Sequence, residues 1–249
     1  MEKIRVNAVV FDYGNTLVMD PFDDILRCKS RDIQKALEEF GYEVTRRNIV
    51  KGWGTANDNV NYPHISHFAQ ERPITEEALK EIGVKTSDMP ELSKRFLSIY
   101  RDGYDKIYRG NPRKEEVKDT LSCLKERKKK LAIFSNGRQF DVDTAMKLYG
   151  VHDLFDFILS SENLYIEKPD PLVFQTIARM IEEIPSNIMY VGDDPLRDIK
   201  PSKQAGMKAV LFVPPPKYRK VKPWRKYETV KEKPDAVITK ISQLKDIVI

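Results

Sequence analysis

Apolar residues in this chain fall into two kinds of run. Six short, nearly continuous stretches rich in β-branched residues stand out: VNAVVF (6–11), KLAIF (130–134), DFILS (156–160), NIMYV (187–191), KAVLFV (208–213) and DAVIT (235–239). A strand buried on both faces reads this way, whereas a half-exposed strand alternates. Segments of helical periodicity lie among the later runs, at 114–128, 140–149, 171–183 and 196–205. Buried strands alternating with amphipathic helices predict an α/β fold: a doubly wound, mainly parallel, Rossmann-like sheet. Gly206, just ahead of the KAVLFV run, suits a residue past a helix end.

The interval 19–109 breaks this alternation. It holds DDILRCKSRDIQKALEEFGY, ITEEALKEIG and MPELSKRFLSIYRDGYDKIY, all of helical period, and no buried strand. So long a stretch exceeds an ordinary connection between strands. The chain is therefore expected to hold a Rossmann-like core at 1–18 and 110–249, with an all-helical cap domain inserted at 19–109.

Polar punctuation adds chemistry. In open parallel sheets ligands bind beyond the carboxyl ends of the strands, and four of the expected strands lead into functional residues. The first runs into Asp12, with Thr16 nearby, and the second ends Ser135-Asn136-Gly137. After the third comes EKPDP, carrying Lys168; after the fourth comes GDDPLRD, carrying Asp193, Asp194 and Asp198. Each alone has an ordinary reading. Asp193 or Asp194 would cap a helix beginning near Pro195, Ser135 and Asn136 would sit in a turn, and Lys168 would be a solvated loop lysine. Gathered on one rim, they pair a hard-cation site with an anion site. Asp12 and Asp193 suit Mg²⁺. A hydroxyl (Ser135), the N–H groups of the Asn136-Gly137 turn and a fixed ammonium (Lys168) suit a phosphoryl group. A carboxylate facing a phosphoryl group held in this way can attack it to give an aspartyl-phosphate.

The order D-x-x-x-T, SNG, KPDP, VGDDPLRD resembles the haloacid dehalogenase superfamily, over the whole core and the position of the helical insert. The resemblance implies a Mg²⁺-dependent phosphohydrolase acting on a small phosphorylated metabolite. It makes Asp12 the nucleophile and a metal ligand, with the Gly14 carbonyl and Asp193 as further ligands. Thr16, Ser135 and Asn136 would hold phosphoryl oxygens, and Lys168 would neutralise charge. Asp194 and Asp198 would support metal-bound water and orient Lys168. One position departs from the pattern. Phosphatases of the superfamily carry a second Asp two residues after the nucleophile, which protonates the leaving oxygen; here stands Gly14, and Asn15 beside it has no acidic proton. A positioned general acid is worth about 10²–10⁴ in rate. His64 and His67 in YPHISHF are candidates to lend one, although the pair reads first as packing or surface residues. Two other readings stay open. One is a 2-haloacid dehalogenase or a phosphonatase-like enzyme, branches that also lack the second Asp. The other is a catalytically weak phosphate-binding or regulatory protein.

Composition narrows the setting. Charged residues make up 33%, above the roughly 25% usual for globular chains. The excess is rich in Lys and Glu, a thermophile-like composition. Cys28 and Cys123 are far apart, so neither a disulfide framework nor a zinc site follows. With no signal-like start and no long apolar run, the expected setting is cytoplasmic, without a membrane partner. The net charge of +5 gathers in KYRKVKPWRKYETVKEK (217–233), where eight Lys or Arg face two Glu. Tyr218, Trp224 and Tyr227 interleave this stretch as on a nucleic-acid surface. A solvated loop is the plainer reading, so nucleic acid is not an expected partner. The aromatics and amides of 52–72, read as an entrance loop, and Arg138 after the SNG turn are candidate substrate contacts.

Overall fold

The computed structural model describes residues 2–19, 22–61, 71–213 and 231–249. His64, His67, the middle of the 52–72 segment and most of the basic stretch, with Tyr218, Trp224 and Tyr227, lie outside the described residues. Two compact units emerge: Met1–Asp20 with Asn111–Ile249, and Pro21–Gly110.

The larger unit opens with β1 (Ala8–Phe11), after which the chain leaves it for the helical unit. That unit's described helices are α1 (Phe22–Glu38), α2 (Arg46–Asn61), α3 (Glu71–Glu81), α4 (Met89–Arg101) and α5 (Tyr104–Arg109). In α1 the apolar residues Ile25, Leu26, Ile33, Ala36 and Leu37 recur on one face, and all are buried. α2 corrects the sequence reading, which places 52–61 in a loop. Gly52 and Gly54 weaken its helical signal, yet Ile49, Trp53 and Ala56 share a buried face. Trp53 stacks on Phe96 and Tyr100, with ring centroids 5.4 and 4.9 Å away, so it belongs to the core of this unit. Gly52 serves the close approach of α2 to α3, since a Cβ there would come within 3.0 Å of Ile82.

The larger unit resumes with α6 (Lys114–Glu126), β2 (Lys130–Ser135), α7 (Gln139–Tyr149), β3 (Phe157–Ser160), α8 (Ser161–Leu164) and α9 (Pro171–Ile181). It continues through β4 (Ile188–Gly192), α10 (Lys200–Gln204), β5 (Lys208–Phe212), β6 (Ala236–Ile238) and α11 (Leu244–Ile247). The strands form one parallel sheet in the order β3-β2-β1-β4-β5-β6. The fold is α/β and doubly wound. Alternate residues Ala8, Val10, Ala132, Phe134, Ile188 and Tyr190 pack against Val173, Phe174, Ile177, Ala178 and Ile181 of α9. Strand order reverses between β1 and β4, and it is at the carboxyl ends beside such a reversal that open parallel sheets bind ligands.

Two details differ from the sequence reading. β3 and β6 are partly exposed, because an edge strand has a neighbour on one side only. The single helix expected at 196–205 is instead a wide π-type turn, Pro195–Ile199, leading into the short α10. Pro201 has no N–H with which to continue a regular ladder there.

Each edge strand is opened by an aspartate that extends the ladder. Asp156 donates its N–H to Leu131 O at 2.7 Å. Its carboxylate accepts from Leu131 N at 2.7 Å and from Lys125 Nζ at 2.8 Å. Asp235 repeats the device against Ala209, with Lys203 as its cation. Burial pushes the Asp156 carboxyl up, but the bonds from Lys125 and Leu131 outweigh it and hold the group below the usual range. A depressed carboxyl contributes stability above its unfolded pKa and loses it as pH falls. Asp156→Asn should cost roughly 0.5–1.5 kcal/mol at pH 7. In denaturant titrations that gap should close as pH drops below about 4; a gap that is constant with pH would contradict the assignment.

Candidate active site

The end of β1 delivers Asp12 to the carboxyl edge of the sheet, beside the reversal of strand order. Its N–H donates to Val191 O at 2.8 Å, carrying the β1–β4 pairing one residue past the strand. The following residues fold back tightly: Leu17 and Val18 both donate to Tyr13 O, at 3.1 and 3.0 Å, and Asn15 adopts φ +56°. This loop brings the hydroxyl of the fully buried Thr16 to 3.2 Å from Asp12 Oδ2. Gly14 sits in the same loop, half-buried. A Cβ built there meets nothing within 4 Å, and its φ is not left-handed. Neither space nor backbone conformation demands a glycine at this position.

The other oxygen of Asp12 belongs to Lys168. Lys168 Nζ lies 2.7 Å from Asp12 Oδ1 and 2.6 Å from Asp198 Oδ1, with the residue only 4% exposed. Asn136, at the end of β2, clamps the lysine's own main chain. Its Nδ2 donates to Lys168 O and its Oδ1 accepts from Lys168 N, both at 2.8 Å. The Lys168–Pro169 peptide is cis. Ser135 Oγ is buried nearby and accepts from Gly137 N at 3.0 Å. Under the ammonium lies the ring of Tyr190, its centroid 5.5 Å from Nζ, while the Tyr190 hydroxyl donates to Phe134 O at 3.2 Å.

β4 supplies the remaining acids. Asp198 reaches back over the strand end, where its second oxygen accepts from Asp194 N at 2.9 Å. Only glycine fits beneath it, since a Cβ on Gly192 would overlap the Asp198 carboxylate. Asp194 itself accepts from Leu196 N and Arg197 N, at 2.8 and 3.1 Å. It therefore caps the turn that carries Asp198, whereas Asp198 makes the contact with Lys168. Arg138 pairs with Asp141 through two bonds of 2.9 and 2.7 Å, both side chains largely buried.

Carboxylate oxygens of Asp12, Asp193 and Asp198 lie within 4.8 Å of one another, and all three residues are buried. Burial alone would lower the Lys168 ammonium, but the charges of Asp12 and Asp198 outweigh it and hold its pKa well above the usual value. Burial pushes Asp193 well above the carboxylate range, reinforced by the charges of Asp12, Asp198 and Asp194. Asp198 is pushed up to about 7, again chiefly by burial and against the pull of Lys168. Among the described residues, three clustered carboxylates thus share one ammonium. Two like charges 4 Å apart repel by about 4 kcal/mol at an effective dielectric constant near 20, so the donor set is short of positive charge. A hard divalent cation with oxygen preference fits this deficit.

The four motifs thus bring Asp12, Thr16, Lys168, Asp193 and Asp198 together. No sequence motif marks the clamp made by Asn136 or the ring of Tyr190. The usable signal for Tyr190 was its period-two spacing with Ile188 and Gly192, which puts all three on one face of the strand.

A sequence profile of the haloacid dehalogenase-like hydrolases matches residues 9–212. A glyceraldehyde 3-phosphate phosphatase of Methanopyrus kandleri is 27% identical over 252 residues, covering 98% of this chain and 97% of its own length. The structure of a 2-haloacid dehalogenase from Pseudomonas syringae superposes with a TM-score of 0.64 at 26% identity, over 99% of this chain and 97% of that one. YfnB of Bacillus subtilis, solved bound to magnesium, gives a TM-score of 0.66 at 19% identity, over 97% and 98%. At that identity the likeness is one of fold.

Removing the lysine tests the charge balance. Lys168→Met leaves the carboxylates without their cation and should cost about 3–5 kcal/mol at pH 7. The deficit should narrow as pH falls towards about 7, because without the lysine's pull the variant's Asp198 takes up its proton at higher pH than in wild type, where it does so at about 7. A loss of stability that does not vary with pH in denaturant titrations would contradict this account.

Proposed function

We propose that this chain, which belongs to the haloacid dehalogenase-like hydrolases, is a Mg²⁺-dependent phosphohydrolase that acts on a small phosphorylated substrate through an aspartyl-phosphate on Asp12. The observation that carries this reading is the buried cluster of Asp12, Asp193 and Asp198 around Lys168. A full-length relative that is a glyceraldehyde 3-phosphate phosphatase supports a phosphate monoester of a small metabolite as the substrate. Cys28 and Cys123 are free, which fits the cytoplasmic setting in this reading. Among the described residues no helix is long and apolar enough to cross a membrane.

In this mechanism Asp12, Asp193 and the Gly14 carbonyl would hold the cation, which would supply positive charge against the phosphoryl oxygens. Thr16, Ser135 and the N–H groups of the Asn136-Gly137 turn hold the remaining oxygens. Lys168 acts as a fixed charge: its raised pKa keeps it protonated, and Asp198 and the Asn136 clamp keep it in place. Asp194 serves by shaping the turn from which Asp198 projects. An oxygen of Asp12 attacks phosphorus, and the bond from phosphorus to the leaving oxygen breaks, its electron pair departing with the leaving group. Water then attacks the phosphorus of the aspartyl-phosphate and frees phosphate, which restores Asp12. With glycine at position 14 no side chain there protonates the leaving oxygen, so stable leaving groups should react fastest.

Likeness to a 2-haloacid dehalogenase and the missing acid favour a second reading, halide displacement by Asp12. The negative excess around Asp193 and Asp198 weighs against it, because an ester formed on Asp12 requires no cation.

Phosphate release should be measured from p-nitrophenyl phosphate and a panel of metabolite phosphoesters, with Mg²⁺ and with EDTA. Release should require the metal and vanish in Asp12→Asn, and 2-chloropropionate should yield no chloride. Chloride release without phosphate release would overturn the proposal in favour of the dehalogenase. Gly14→Asp, whose Cβ would meet nothing within 4 Å, should raise turnover of alkyl esters by recovering part of the about 10²–10⁴-fold that a general acid supplies. Unchanged or lower alkyl-ester turnover would show that the missing acid is not what limits the chemistry.

A further inference from the structure

Thr16 is held from two sides. Its hydroxyl donates to Asp12 Oδ2, and its main-chain carbonyl accepts from Arg113 Nη2 at 3.2 Å. Arg113 belongs to none of the four motifs. It comes just after the chain re-enters the larger unit at Asn111, whereas Thr16 comes just before the chain leaves that unit at Asp20. One guanidinium therefore ties together the outgoing and returning segments on the larger unit's side.

The guanidinium is itself fixed. Its carbon lies 4.9 Å over the ring centroid of Phe212, the last residue of β5. Its Nε is 3.8 Å from Glu116 Oε2, and the other Glu116 oxygen accepts from Ser242 N and Oγ at 3.1 and 3.0 Å. The main-chain N–H of Arg113 donates to Asn111 Oδ1 at 2.9 Å, and the side chain is only 12% exposed. Arginine suits this place because its planar fork can donate to a carbonyl while its face stacks on a ring.

We infer that Arg113 is a positioning residue, which fixes the Thr16 carbonyl and through it the alignment of Thr16 and Asp12. The inference rests on the proposed role of Asp12 as nucleophile. Inside the loop, Leu17 and Val18 donate to Tyr13 O and Asn15 N donates to Val18 O at 2.7 Å, but none of these bonds holds the Thr16 carbonyl, so the bond from Arg113 carries weight. A displacement of about 1 Å at reacting groups costs on the order of 10² in rate.

The test compares Arg113→Met, which keeps the apolar stem and has no donor, with Arg113→Lys, which keeps a donor. Three quantities are read: kcat and KM for p-nitrophenyl phosphate with Mg²⁺, and hydrogen–deuterium exchange over residues 12–19. Arg113→Met should lower kcat about 10–100-fold with KM little changed, and should speed exchange in that loop. Arg113→Lys should recover part of both. Wild-type kcat and loop exchange in Arg113→Met would overturn the inference, as would equal losses in the two variants, which would indicate packing alone. If Arg113→Met fails to fold, Phe212→Leu reads the same tie by removing the ring under the guanidinium. It should shift kcat and loop exchange in the same direction, and no shift in either would overturn the inference. Should wild type release no phosphate at all, the proposed function fails, while loop exchange still tests the positioning role.

Discussion

A lysine ammonium held 2.7 Å from one buried aspartate and 2.6 Å from another, almost without access to water, sets the terms for the larger unit. Breaking such a buried pair costs several kcal/mol, so its partners have to arrive within hydrogen-bond distance from separate parts of the chain. The parallel sheet does this through three adjacent strands. β1 ends on Asp12, β2 ends on the Asn136 clamp, and β4 ends on the turn that returns Asp198. Small choices follow from the same constraint. Gly192 leaves room for the Asp198 carboxylate, and Tyr190 lays a ring beneath the ammonium.

The pair is also unbalanced. Asp193 joins Asp12 and Asp198 within the same few ångströms, and the cluster has more negative charge than Lys168 can offset. Burial converts that excess into raised carboxyl pKa values at Asp193 and Asp198. A bound divalent cation would offset that excess, which links the geometry to the proposed phosphoryl chemistry. Fold alone would not decide this, since one fold hosts several chemistries. The same overall structure is shared with a dehalogenase of Pseudomonas syringae and with the magnesium-bound YfnB. What separates the readings is the local charge.

Much of this architecture could be read from the chain because buried parallel strands leave a nearly continuous apolar run, and because their carboxyl ends break abruptly into Asp, Ser-Asn-Gly or Lys-Pro. The same signal is ambiguous where a residue has two uses. Asn136 reads as a phosphate-binding amide, and both ends of its side chain also grip the Lys168 main chain. Asp194 reads both as a helix cap and as support for metal-bound water and Lys168, and its carboxylate caps the turn behind. α2 was lost because Gly52 and Gly54 lower helical propensity, while the stacking of Trp53 on Phe96 and Tyr100 that overrides it is a tertiary effect. Arg113 carries no motif at all. Its contact with Thr16 spans 97 positions of sequence, which no local pattern reports.

The claim that binds these observations is that Asp12, with a divalent cation beside it, accepts a phosphoryl group. Beryllium trifluoride mimics that group on an aspartate and needs no knowledge of the natural substrate. Fluorine NMR of the protein with beryllium fluoride, with and without Mg²⁺, is therefore the most direct measurement. A bound resonance that requires Mg²⁺ and disappears in Asp12→Asn is the predicted result. No bound resonance under any condition, or one that persists in Asp12→Asn, would contradict the account.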